Sequence, residues 1–264
     1  MNSLVCPTDF SVTANNAVHY ASQLAEFLNT KIILVNVLHV PAVDVYSPAN
    51  VMSEMMDAQR QGSKVQLEAL IEELQDKYEC SYEYRIEFGF AAEVICEIAN
   101  ENRARLISMG TNGSSMAINR FLGSVSYETV KRSEVPVLVV PADCEFKRWD
   151  KIVVANDQKE SLKDEMAELG ELSKYFESAM DIVTVEKDDD TPYEIEVKNI
   201  KGKTKVVEIE STKVAPSICR YVDENDIKLL ALKRHQRSFL ENLFHKSTIK
   251  QVLGKSNIPA LVFN

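Results

Sequence analysis

The chain has 264 residues, 45% hydrophobic and 27% charged, with a formal net charge of −10; it has room for one or two domains with cores of their own, and its acidic surface repels nucleic-acid phosphates and anionic lipid, so neither nucleic acid nor membrane is expected as a partner. Five widely spaced cysteines (Cys6, Cys80, Cys96, Cys144 and Cys219) with no C-x-x-C give neither a disulfide framework nor a zinc ribbon, and Cys6, in an apolar run, reads as a core thiol. No apolar run approaches the roughly 20 residues of a membrane span, and the N-terminus reads directly as a strand rather than a signal peptide, so the expected location is the cytoplasm.

Leu4 to Cys6 is the first predicted strand. Ala14, Ala17, Val18, Ala21, Leu24, Ala25 and Leu28 then recur at helical spacing, one apolar stripe on one face. Ile32 to Val37 is aliphatic except for Asn36, the pattern of a strand covered on both faces. A loop from Pro41 to Pro48 leads to a long helix over Ser53 to Tyr78, and Tyr82 to Ile86 alternates as a strand. Helix over Ala91 to Asn100, strand over Arg105 to Met109, a loop from Gly110 to Gly123, helix over Ser124 to Arg132 and strand over Val135 to Val140 complete the set. Strand and helix alternate throughout, which predicts an α/β fold: a doubly wound, Rossmann-like parallel sheet with helices on both faces.

The second half repeats the first. At an offset of 123, residues 92 to 140 match 215 to 263 without a gap at 14 of 49 positions, among them Ile95 on Ile218, Cys96 on Cys219 and Pro136 on Pro259. The N-terminal parts align at an offset of 148, with Asp9 on Asp157 and Val35 on Val183. The difference, 148 − 123 = 25, is a deletion of about 25 residues between the second strand and the third helix of copy two. The expected domains are therefore 1–146 and 147–264, two doubly wound sheets in tandem. Within copy two, Tyr193 to Glu210 alternates around Lys201-Gly202, either a hairpin or a remnant of the long helix followed by a strand.

The segment after the fourth strand reads Gly110-Thr111-Asn112-Gly113, nine residues, then Gly123-Ser124. Glycine at a strand exit lets backbone approach a phosphate. A helix that starts at Ser124 points free N–H groups and the positive end of its dipole outward, and Ser124 and Ser126 carry hydroxyls that donate to an anion or cap the helix. A bare G-x-x-G is more often a surface turn; the Gly-Ser helix start at the end of a buried strand is what makes this one a phosphate loop. At the carboxyl end of a doubly wound sheet, that is a nucleotide site. Asp9, between a strand and a helix, reads equally as a cap.

The combination Gly110-x-x-Gly113-(nine residues)-Gly123-Ser124 resembles the ATP-binding signature of the universal stress protein family. Pro7-Thr8-Asp9-Phe10-Ser11, Leu38-His39-Val40, Ser124-Val125-Ser126 and Val135 to Val140 agree with it. The resemblance covers copy one and, more weakly, copy two. It implies ATP, with or without Mg, as cofactor. Pro7, Thr8 and Asp9 would lie at the adenosine, Asp9 near the ribose; Val40 would meet adenine through its backbone; Met109 and Gly110 would line the floor; Gly113, Gly123, Ser124, Val125 and Ser126 would hold ribose and phosphates. Asn112 stands where the family often has His. The family commonly pairs through its last strands, here Val135–Val140 and Ala260–Phe263, which implies an intramolecular pseudo-dimer; a further homodimer is left open.

In copy two the three glycines are replaced by Lys233, Gln236 and Lys246, and only Ser247 survives. The plain reading is a site that no longer binds nucleotide. The basic residues of this stretch, Lys233, Arg234, His235 and Lys246, are a side-chain anion site or simply a charged, solvated loop. No H-E-x-x-H metal pair and no nucleophile elbow occur. Gly254-Lys255-Ser256 lacks the upstream glycine and strand of a phosphate-binding P-loop. The expected function is a nucleotide-binding protein with a regulatory or protective role in stress. The alternatives are a slow ATPase or phosphotransferase, for which no base is evident, and a ligand-independent scaffold, against which the intact glycines of copy one argue.

Overall fold

A computed structural model describes residues 3–41, 49–111, 122–156, 175–186, 194–199, 204–211, 213–233 and 246–263. The chain divides into two compact units, and along the chain the division falls between Asp143 and Cys144.

The first unit runs β1 (Ser3–Pro7), α1 (Val12–Leu28), β2 (Lys31–Leu38), α2 (Ala49–Gln75), β3 (Tyr82–Phe88), α3 (Ala91–Glu101), β4 (Leu106–Gly110), α4 (Ser124–Arg132) and β5 (Val137–Val140). The strands lie in the order β3-β2-β1-β4-β5, all parallel. The order reverses between β1 and β4, so the carboxyl ends of these two strands open a crevice there.

The core follows from the pattern of the sequence. Leu4, Val5 and Cys6 in β1 and Ile32 to Val35 in β2 are fully buried, as expected of strands covered on both faces. Every residue of the predicted α1 stripe is buried. The helix begins at Ser11, whose side chain accepts from the Ala14 N–H, and ends at Asn29 in the left-handed conformation. Along α2 the described buried residues are Ser63, Leu67, Leu70 and Leu74, spaced i, i+4, i+7, i+11, a single narrow stripe; burying each leucine contributes roughly 1.5–3 kcal/mol. The helix starts four residues before the predicted Ser53 and stops three before Tyr78. The last strand starts two residues later than predicted. The Ser133 hydroxyl donates to the Val135 carbonyl and accepts from the Val135 N–H, a turn that holds Val135 out of the ladder.

The second unit runs β6 (Lys151–Asn156), β7 (Ala179–Glu186), β8 (Glu194–Asn199), β9 (Thr204–Glu210), α5 (Val214–Glu224), β10 (Leu229–Lys233), α6 (Lys246–Lys255) and β11 (Ala260–Phe263). Its order is β11-β10-β6-β7-β9-β8, parallel except for β8 against β9. The repeat register is visible element by element. The spans of α3, β4 and β5 plus 123 are the spans of α5, β10 and β11, and the span of β2 plus 148 is that of β7. β3 and β9 differ by 122, so the deletion lies between β7 and β9 and amounts to 148 − 122 = 26 residues; one residue is returned before α5. Of the two readings of Tyr193 to Glu210, the hairpin is the one found: Glu194 pairs with Glu210 and Asn199 with Lys205.

Each unit has a polar anchor away from the crevice end. In the second, Asp181 on β7 is 2% exposed. It accepts from the Tyr221 hydroxyl at 2.9 Å, with Lys205 Nζ at 3.3 Å and Lys151 Nζ at 3.8 Å. A buried carboxylate left without partners costs several kcal/mol, and the Tyr221 hydroxyl and the two lysines supply Asp181 with its partners. Trp149, the single tryptophan, is fully buried against Phe176, ring centroids 4.7 Å apart. In the first unit, His19 on α1 reaches the end of α2, with Nδ1 3.2 Å from the Tyr78 hydroxyl and Nε2 3.5 Å from Glu73. Burial and then the Lys77 charge hold the imidazole pKa below its ordinary value, against the opposing pull of Glu73.

Two outcomes are expected in urea unfolding. Tyr221→Phe, which removes one hydroxyl from a buried carboxylate, should lose about 1.5–3 kcal/mol; Trp149 fluorescence reports the unit concerned, and an unchanged midpoint would remove the anchoring role. His19 binds protons more readily unfolded than folded, so its contribution is present above the unfolded pKa of about 6.5 and is lost as pH falls below it. His19→Gln should therefore flatten the decline in stability below pH about 6.5; an unaltered profile contradicts the assignment.

Candidate functional site

The crevice at the switch point of the first unit holds a cavity of about 280 Å³. Pro7, Thr8 and Asp9 line it from the end of β1, and Met109 and Gly110 from the end of β4. Gly123, Ser124, Val125 and Ser126 line it from the start of α4. Its apolar floor comes from Val35, Val37 and Ile95, with Ala14 and Ala91 beside them.

The starts of α1, α3 (at Ala91) and α4 line this cavity, and those of α1 and α4 differ. That of α1 is occupied by its own chain. Asp9 Oδ1 accepts from the Ser11 N–H at 3.0 Å, Thr8 Oγ1 from the Phe10 N–H at 2.9 Å and Ser11 Oγ from the Ala14 N–H at 3.2 Å. Phe10 takes a left-handed φ of 62° to close this turn, a conformation rare outside glycine and held here by those bonds. Helix α4 begins at Gly123 with no side-chain cap. Its first helical bond is Tyr127 N–H to Gly123 O, and the N–H groups of Ser124, Val125 and Ser126 have no partner among the described residues. Three open donors at the positive end of a helix dipole form an anion site.

Gly110 is needed for a different reason from the one its motif suggests. A Cβ placed on it would lie 2.8 Å from the Thr13 carbonyl oxygen and 3.1 Å from its carbon. The close approach it permits is that of α1. Its own carbonyl accepts from the Ser126 hydroxyl at 2.8 Å, so the Ser126 proton fastens α4 to β4, and Ser126 offers a ligand its backbone N–H. Gly123 donates its N–H to Thr111 O at 2.5 Å.

Of the residues the sequence assigns to the site, Pro7, Thr8, Asp9, Met109, Gly110, Gly123, Ser124, Val125 and Ser126 line one cavity. Gly113 and Asn112 lie outside the described residues. Val40 is not among the lining residues: it stands two positions past β2 and is 51% exposed. The period of two along β2 turns Val35 and Val37 to the cavity, and His39, just past the strand, lines it as well. Asn36 has a role that sequence reading passed over. Its Nδ2 donates to the Thr8 carbonyl and its Oδ1 accepts from the Ser63 hydroxyl, each at 2.7 Å. It ties α2 to the turn at the cavity wall. The available signal was one amide in an otherwise aliphatic run, a group that must be paired once buried.

In the second unit Lys233 closes β10 where Gly110 closes β4, and Lys246 opens α6 in place of Gly123. Gln236 and the basic residues Arg234 and His235 lie outside the described residues. Among the described residues no group of three or more His, Cys, Asp or Glu is placed to hold a metal, and no helix is long and apolar enough to cross a membrane.

The model described as "Universal stress protein family" matches residues 1–141 and 149–264. A universal stress protein of Synechocystis sp. is 25% identical over 291 aligned residues, 99% of either chain. One from Methanocaldococcus jannaschii is 29% identical over 140 residues, 52% of this chain and 80% of the relative. The crystal structure of a universal stress protein from Archaeoglobus fulgidus covers 100% of this chain and 98% of its own with a TM-score of 0.74; at 17% identity the likeness is one of fold.

Gly110→Ala should cost about 1–3 kcal/mol through displacement of the α1 N-terminus, since the obstructing atoms are backbone. Urea unfolding reads this directly; a variant as stable as wild type would show that α1 yields freely.

Proposed function

Because the chain belongs to the universal stress protein family, we propose that its first domain binds one ATP at the crevice between β1 and β4, and that the protein has a regulatory or protective role in stress. The observation that carries this reading is the uncapped start of α4 beside an apolar floor, with the neighbouring helix start already closed. Val35, Val37, Ile95 and Met109 cover the purine. Asp9 lies towards the ribose. The N–H groups of Ser124, Val125 and Ser126, with Gly123 and Gly113, hold the phosphates, and Mg bound with the nucleotide offsets their charge. Such a site holds nucleotide without net positive charge on the chain.

The reading favours retention over turnover. Asp9, the one carboxylate among the described residues that line the cavity, accepts from the Ser11 N–H in the turn before α1. In the second domain Lys233, Gln236 and Lys246 fill the places of the three glycines, so we assign it no nucleotide.

Calorimetric titration with MgATP should give one site per chain. Gly123→Val, whose backbone φ of −61° accepts a side chain, should weaken binding by roughly a hundredfold or more and leave the melting temperature of the free protein unchanged. AMP should bind roughly tenfold or more weakly than ATP. Absence of binding overturns the proposal, and two equal sites overturn its restriction to the first domain.

A further inference from the structure

We propose that the open edge of β3 takes up an extended basic segment of a partner protein as an added strand. The hydrogen bonds at the two ends of the strand fix which backbone groups face outward. Ile32 donates to Ser81 O, and Gly89 donates to Leu38 O. In a parallel ladder these bonds turn the odd-numbered residues of β3 towards β2 and the N–H and C=O of the even-numbered ones away from it. Towards its end this edge is covered: Arg60 of α2 donates to the Ile86 carbonyl at 2.9 Å and lies over the Phe88 ring. At Tyr82 and Tyr84 the outward backbone groups have no partner among the described residues.

A groove of about 600 Å³ runs along this uncovered stretch, between β3 and the last two turns of α2. A strand laid against an edge, beside a helix, occupies this kind of position. Its floor is partly apolar, with Ile71, Tyr82 and Tyr84 half-buried. Its walls carry Glu68, Glu72 and Glu83 against one base, Arg85. Tyr84 donates to Glu68, and Lys31 neutralises part of Glu83 at 2.7 Å. The balance still selects lysine or arginine at alternate positions of the incoming strand. It also disfavours a second copy of this chain, which would bring two acidic grooves together in a protein of net charge −10. The groove lies at the beginning of β3, whereas the nucleotide crevice is at the carboxyl ends of the strands, so the two proposals stand or fall separately.

The test uses the full chain and a fluorescein-labelled peptide, Lys-Val-Lys-Val-Lys-Val-Lys, followed by anisotropy and by hydrogen exchange. Expected are micromolar binding, slower exchange at the Tyr82 and Tyr84 amides, and loss of binding when alternate peptide nitrogens are methylated. Glu72→Lys should weaken binding by roughly tenfold or more with an unchanged melting temperature. No binding at about 1 mM peptide, or equal binding of the methylated peptide, overturns the proposal. So does protection of the same amides by self-association without peptide, detected by sedimentation.

Discussion

The arrangement of the crevice depends on how closely α1 passes the end of β4. There is no space for one methyl group between Gly110 and the Thr13 carbonyl. That approach fixes the start of α1, and with it the turn from Pro7 to Ser11, as one wall of the cavity. The same residue holds the other wall, because its carbonyl receives the Ser126 hydroxyl. Gly110 thus brings two helix starts to one place, by lacking a side chain on one side and by offering an acceptor on the other. Side chains within the turn close the first start, and the second stays open. The positive ends of two helices converge where an acidic chain would otherwise repel an anion.

The chain as a whole was readable because its strongest signals are periodic. The α1 stripe, the aliphatic runs of β1 and β2 and the gapless repeat register all correspond to described elements, since each reflects burial at a fixed spacing. Element ends were less legible where local hydrogen bonds decide them, as Ser133 does ahead of β5. The middle of copy two left two readings because its alternation suits a hairpin and a lone strand equally; pairing between strands is tertiary information.

At the site, glycines and serines were found by motif, but their tasks were not. A glycine that admits a ligand and one that admits a neighbouring helix look alike in sequence; Gly110 admits a helix and also lines the cavity. A serine at a helix start carries no sign of whether its proton goes to a ligand or to a carbonyl sixteen residues back. Asn36 was visible only as an interruption.

The exchange of α2 for β8 has a meaning for how each half closes its sheet. In the first unit 43 residues separate β2 from the strand it must meet, and in the second 17 separate β7 from β9. By the logarithmic dependence of loop closure, that difference is worth only about 0.8 kcal/mol of chain entropy. The larger change is one of sequence distance. The edge of the second sheet can assemble from a local hairpin, while the edge of the first waits for a long helical crossover, so contacts of the second half are the more local and its edge the faster to form.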